Sequence, residues 1–130
     1  MKKFIVTAIN VILLSITVNS FAATSGIATF YTVESCKREG TSGVFTASGE
    51  RYDESKFTCA IRSREFGRKY KVTNLANGKS VVVRHNDFGP GKKPTSRGVV
   101  IDLSPAAFDA LGGKRGKTWG EISKVKVEPI

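Results

Sequence analysis

Residues 84–91 read RHNDFGPG and contain the chain's single histidine, His85, two positions before a carboxylate, Asp87. A second carboxylate, Asp102, closes the run GVVID at residues 98–102. An acid of such a pair can protonate the leaving oxygen of a glycosidic bond. Closeness would raise the pKa of one and leave it protonated at neutral pH. Each residue also has a plainer reading. Asp before a Gly-Pro turn bonds its own backbone, Asp102 can satisfy N–H groups at a helix start, and a lone histidine is commonly structural.

Other chemistries lack their parts. One histidine and two cysteines, Cys36 and Cys59, furnish no N/S metal site, and no cofactor is expected. No nucleophile-elbow motif poises a serine against His85. Gly-rich phosphate loops are absent.

Strands must place these acids. Val81, Val83, His85 and Asp87 share one face of an extended chain. That puts Val81 and Val83 in the core and brings His85 and Asp87 out together at a barrel mouth. Residues 69–73 and 80–84 alternate in period two, and Asn77-Gly78 between them predicts a tight antiparallel hairpin with positive φ at both turn residues. Residues 26–31, 98–103 and 124–127 are further strand candidates. Ser104 and Pro105 start one good helix, which Gly112-Gly113 stops. Short strands, Gly-rich turns and little helix predict an all-β fold, a small barrel.

The first residues predict a different fate. Met1-Lys2-Lys3, an apolar run from Phe4 to Val18 and the small residues of Ser20-Phe21-Ala22 read as a secretory signal peptide over residues 1–22. Residues 23–130 then form one domain of about 108 residues, exported to the periplasm or beyond. No cysteine stands at the cleavage point, so lipid attachment is not expected, nor is membrane insertion after cleavage. Export implies oxidising conditions. Cys36 and Cys59 permit one disulfide, worth roughly 3 kcal/mol in the chain-entropy model; two separate thiols are the alternative. Without Lys2 and Lys3 the chain carries 19 basic and 11 acidic residues, a net of +8. On an exported protein this favours an anionic envelope polymer as partner over nucleic acid.

Three longer stretches carry a resemblance. TASGERYD (46–53), FGRKYKVTNLANGKSVVVRHND with GP after Phe88 (66–90), and RGVVIDLSPAAFDALG (97–112) are similar to the rare lipoprotein A (RlpA) family, and GIATFY (26–31) also fits. The match runs through nearly all of residues 23–130 in the right order. It implies a six-stranded double-psi β-barrel with one or two short helices, shared with expansin N-terminal domains and family 45 endoglucanases. It also implies a monomeric endolytic transglycosylase acting on peptidoglycan glycan strands, preferably those stripped of peptides. On this resemblance Asp87 is the catalytic acid and base, Glu50 and Asp102 assist, and Tyr31, Arg84 and Asn86 are expected substrate contacts. The family histidine position falls on Ile61, and His85 is the candidate to replace it. An expansin-like module that binds or loosens the wall without cleaving it is the second reading.

Overall fold

The structure is a computed structural model that describes residues 23–40, 44–117 and 119–130; the expected signal peptide lies outside them. Its strands are β1 (Thr24–Phe30), β2 (Thr58–Ile61), β3 (Lys69–Asn74), β4 (Ser80–Phe88), β5 (Val99–Leu103) and β6 (Glu121–Pro129). They close into a barrel in the order β1-β5-β2-β4-β3-β6. The pairs β1/β5 and β2/β4 are parallel and the remaining four are antiparallel. Closure leaves no open sheet edge. Among the described residues no helix is long and apolar enough to cross a membrane.

The core follows period-two alternation. Val72, Val81, Val83, Ile101, Leu103, Val125 and Val127 point inward, and Phe108 and Leu111 add to the same core. The last two belong to α3 (Pro105–Ala110) and its C-cap, capped at its start by Ser104 and with Pro105 in its first turn. The helix stops where the sequence predicts. Gly112 takes φ +79°, and any side chain on Gly113 would collide with the Phe108 ring. Asn74 and Asn77 each donate a side-chain N–H to the Leu111 carbonyl, at 2.9 and 3.0 Å, tying the β3–β4 loop to the helix end.

Four expectations need correction. Among the described residues there are three short helices rather than one or two: α1 (Val33–Arg38) and α2 (Lys92–Ser96) fill stretches without helix signals in the sequence. The β3–β4 hairpin is present, but Gly78 has positive φ and Asn77 does not, so Asn77-Gly78 is not a two-residue turn. Instead Asn74 N–H reaches the Lys79 carbonyl at 2.8 Å around a wider loop. No disulfide joins Cys36 to Cys59. Cys59 lies in the barrel core, whereas Cys36 packs against Tyr31, Tyr52 and Ala60. Cys59 and Ala60 are neighbours on β2 and point to opposite faces, so the two thiols sit on opposite sides of the strand.

The fourth correction concerns β4. Cys59 pairs with His85 and Ala60 with Asp87, so Asn86 is an extra residue and the register slips by one. The slip reverses the expected shared face. His85 stays inside the barrel, fully buried, while Asp87 turns to the outer face.

Candidate active site

The barrel's outer face carries one continuous row of residues across five strands. Glu121 on β6 pairs with Thr29 on β1, Thr29 with Asp102 on β5, Asp102 with Ala60 on β2, and Ala60 with Asp87 on β4. Ala28 and Phe30 alternate inward around Thr29, as Ile101 and Leu103 do around Asp102. Asp87 and Asp102 therefore flank Ala60 on a common face, two ladder spacings or about 10 Å apart at Cα. The methyl of Ala60 leaves the space between them open. Both acids line a groove of ≈ 710 Å³, walled by α1 on one side and by Gly89–Gly91 on another.

The two carboxyls are held differently. Asp87 accepts hydrogen bonds from the Tyr31 hydroxyl at 3.0 Å and from the N–H groups of Ala47 and Phe88, both at 2.9 Å. Three donors converge on this carboxyl. Asp102 accepts from the Thr29 hydroxyl, at 3.0 Å. It is densely surrounded yet reachable from the groove. Burial pushes its pKa up to about 7, against the pull of Thr29, and the charges of Glu39 and Asp87 push the same way. Tyr31 stacks on Tyr52, ring centroids 4.5 Å apart, and the Tyr52 hydroxyl donates to the Tyr31 carbonyl at 2.8 Å. Burial, chiefly, holds both phenols protonated far above their usual range, so Tyr31 remains a donor to Asp87.

Glu50, Arg84 and Asn86 lie elsewhere. Arg84 grips Glu50 in a two-pronged ion pair, 2.5 and 2.6 Å, and Asn86 donates to the same carboxylate at 3.3 Å. The Arg84 bond lowers the Glu50 pKa to about 2. None of the three lines the groove. Together they fasten the 44–52 loop to β4, and that loop delivers the Ala47 N–H to Asp87. His85 also lies outside the groove. Its Nε2 donates to the carbonyls of Asp87 at 2.9 Å and Ile61 at 3.3 Å, and its ring packs beside Phe66 and Tyr70. The side chain of Ile61 packs against the core and takes no part in the groove. Of the expected site residues, the fold brings together Asp87, Asp102 and Tyr31.

Several groove residues escape sequence reasoning. Thr29 was within reach of it: in GIATFY it alternates onto the same face as Tyr31. Ala60, Glu39, Arg38, Arg97, Phe45 and Trp119 carry no local motif, and only barrel closure assembles them.

Fold and site together define a double-psi β-barrel with a two-carboxylate groove on its outer face. The chain belongs to the lytic transglycolase family, whose model matches residues 23–126. It is similar to the "Probable endolytic peptidoglycan transglycosylase RlpA" of Nostoc sp., 48% identical over 87 residues covering 67% of this chain and 21% of that protein. It is similar also to the endolytic peptidoglycan transglycosylases RlpA of Pseudomonas aeruginosa, 44% identical over 68% of this chain and 24% of the relative, and of Neisseria meningitidis, 41% identical over 65% and 32%. The chain thus spans about a fifth to a third of the length of these relatives.

Proposed function

We propose that this protein is an exported endolytic transglycosylase that cleaves peptidoglycan glycan strands in the groove between Asp87 and Asp102. The observation that carries this reading is the pair of unlike carboxyls flanking Ala60. One is raised toward neutral pH and can give a proton; the other is cradled by three donors and can receive one. Asp102 protonates the bridging oxygen and the C1–O bond breaks. Positive charge develops at C1 of the muramyl ring. The ring's own 6-hydroxyl oxygen bonds to C1, and its proton passes to Asp87. Proton exchange with solvent resets both acids, and no water is consumed. The resemblance alone assigns both proton steps to Asp87; the burial of Asp102 supports dividing them.

Arg38 and Arg97 line the same groove. Their charge, with the basic surplus of the chain, suits the free lactyl carboxylates that peptide removal exposes along a glycan. Residues 1–22 serve in this reading as the export signal. The test incubates peptide-free glycan strands with wild type and with Asp87→Asn. Wild type should release anhydromuramyl-ended fragments and Asp87→Asn almost none. Binding of the strands without release by wild type would favour the expansin-like reading instead.

A further inference from the structure

Two large aromatic side chains stand exposed at opposite ends of the row that holds the carboxyls. Trp119 is 60% exposed and lies two residues before Glu121, the β6 end of the row. Phe45 is 59% exposed and lies two residues before Ala47, whose N–H bonds Asp87 at the β4 end. Both line the groove. Between β6 and β4 the row covers four ladder spacings, about 19 Å along the sheet.

Bonds tie down described residues near each side chain. Gly116 N–H bonds the Trp119 carbonyl at 2.8 Å, and the neighbouring Arg115 is fixed to Asp109 by two bonds of 2.8 and 2.9 Å. Side chains on Gly116 or Gly120 would run into backbone here. The Phe45 loop is closed by its bridge to Arg51 and by the Glu50–Arg84 ion pair. Phe88 also lines the groove, with Arg62 and Arg64 stacked on its ring at 5.2 and 4.8 Å.

We propose that Trp119 and Phe45 are sugar-stacking platforms that bind N-acetylated, β-linked hexosamine rings on either side of the scissile bond. The proposal rests on the glycan-cleaving reading above and adds its binding subsites. A β-linked pyranose turns an apolar C–H face to its neighbour. A rigid aromatic ring can cover that face with little loss of side-chain freedom. Two platforms with the acids between them hold a strand by its interior, as cleavage away from the ends requires.

Trp119 is the only tryptophan of the chain, so its emission reports this subsite alone. The probe is N-acetylchitotetraose, titrated into the Asp87→Asn protein to separate binding from cleavage. Emission should change saturably, and calorimetry should give the same dissociation constant. Trp119→Ala and Phe45→Ala should each weaken binding by at least about tenfold, with Trp119→Phe restoring most of the loss. Melting temperatures serve as the folding control. Calorimetric binding with unchanged emission, and affinity within about twofold in Trp119→Ala, would overturn the platforms and leave the cleavage reading intact. A saturable emission change with no cleavage by wild type would overturn the cleavage reading and leave the platforms.

Discussion

Asp87 and Asp102 flank the methyl of Ala60 on the outer face of the barrel, one cradled by hydrogen-bond donors and the other pressed by burial. This relationship makes the two acids unequal, and the following expectations rest on it.

Asp87→Asn keeps two of the three donors satisfied, because Ala47 and Phe88 both bond Oδ1. The Tyr31 hydroxyl can turn to accept from the new amide. Turnover should fall on the order of a hundredfold or more with the loss of proton transfer. The melting temperature should stay within a few degrees of wild type. A variant that unfolds would mean Asp87 is primarily structural.

Asp102 predicts a pH signature. The folded protein holds this proton up to about pH 7, whereas an ordinary aspartate releases it near 3.8. Between those values the folded state binds more protons, so stability should fall as pH rises through this window. Asp102→Asn should abolish that slope. It should equal wild type near the acid end of the window and exceed it above pH 7 by at most about 4 kcal/mol. In the wild type, activity should decline above about pH 7 as the acid form is lost. Denaturant melts across the pH series, beside the rate profile, check both halves.

The Glu50–Arg84 clamp should act on rate through the loop it holds. Glu50→Ala and Arg84→Ala should each lower kcat on the order of tenfold to a hundredfold by loosening the Ala47 donor from Asp87. The double variant should be hardly worse than either single one. If Glu50 itself touched substrate, Arg84→Ala would leave most of the rate and the cycle would be additive.

His85→Ala should cost folding stability. Emptying a buried ring site beside Phe66 and Tyr70 should destabilise by about 2–5 kcal/mol, the range for large-to-small core changes. The remaining folded fraction should cleave at near the wild-type rate. A large rate loss in fully folded protein would return His85 to the chemistry.

Much of this architecture is legible in the chain. Local signals, period-two alternation and the Ser104-Pro105 start mark β3, β4, β5 and α3 close to their true limits. β2 escaped because Thr58–Ile61 is four residues long and lacks alternation; its central place comes from pairing on both sides. The site was half legible. Asp87, Asp102 and Tyr31 line one groove, but the bulge at Asn86 separates His85 from Asp87. Such a slip is a property of two strands in register, and β4 alone does not carry it. The pairing of Glu50 with Arg84 is hidden in the same way. Their charges suit a site, but their pairing with each other is visible only once the 44–52 loop folds back on β4.

The central claim is that these two acids cleave a glycan without water. Digesting peptide-free glycan strands in ¹⁸O-labelled water tests it most directly. If the muramyl ring's own 6-hydroxyl closes on C1, the new muramyl ends should be anhydro and carry no label. Fragments with ¹⁸O at the new reducing ends would show that a water enters between Asp87 and Asp102, making the protein a hydrolase and contradicting the account.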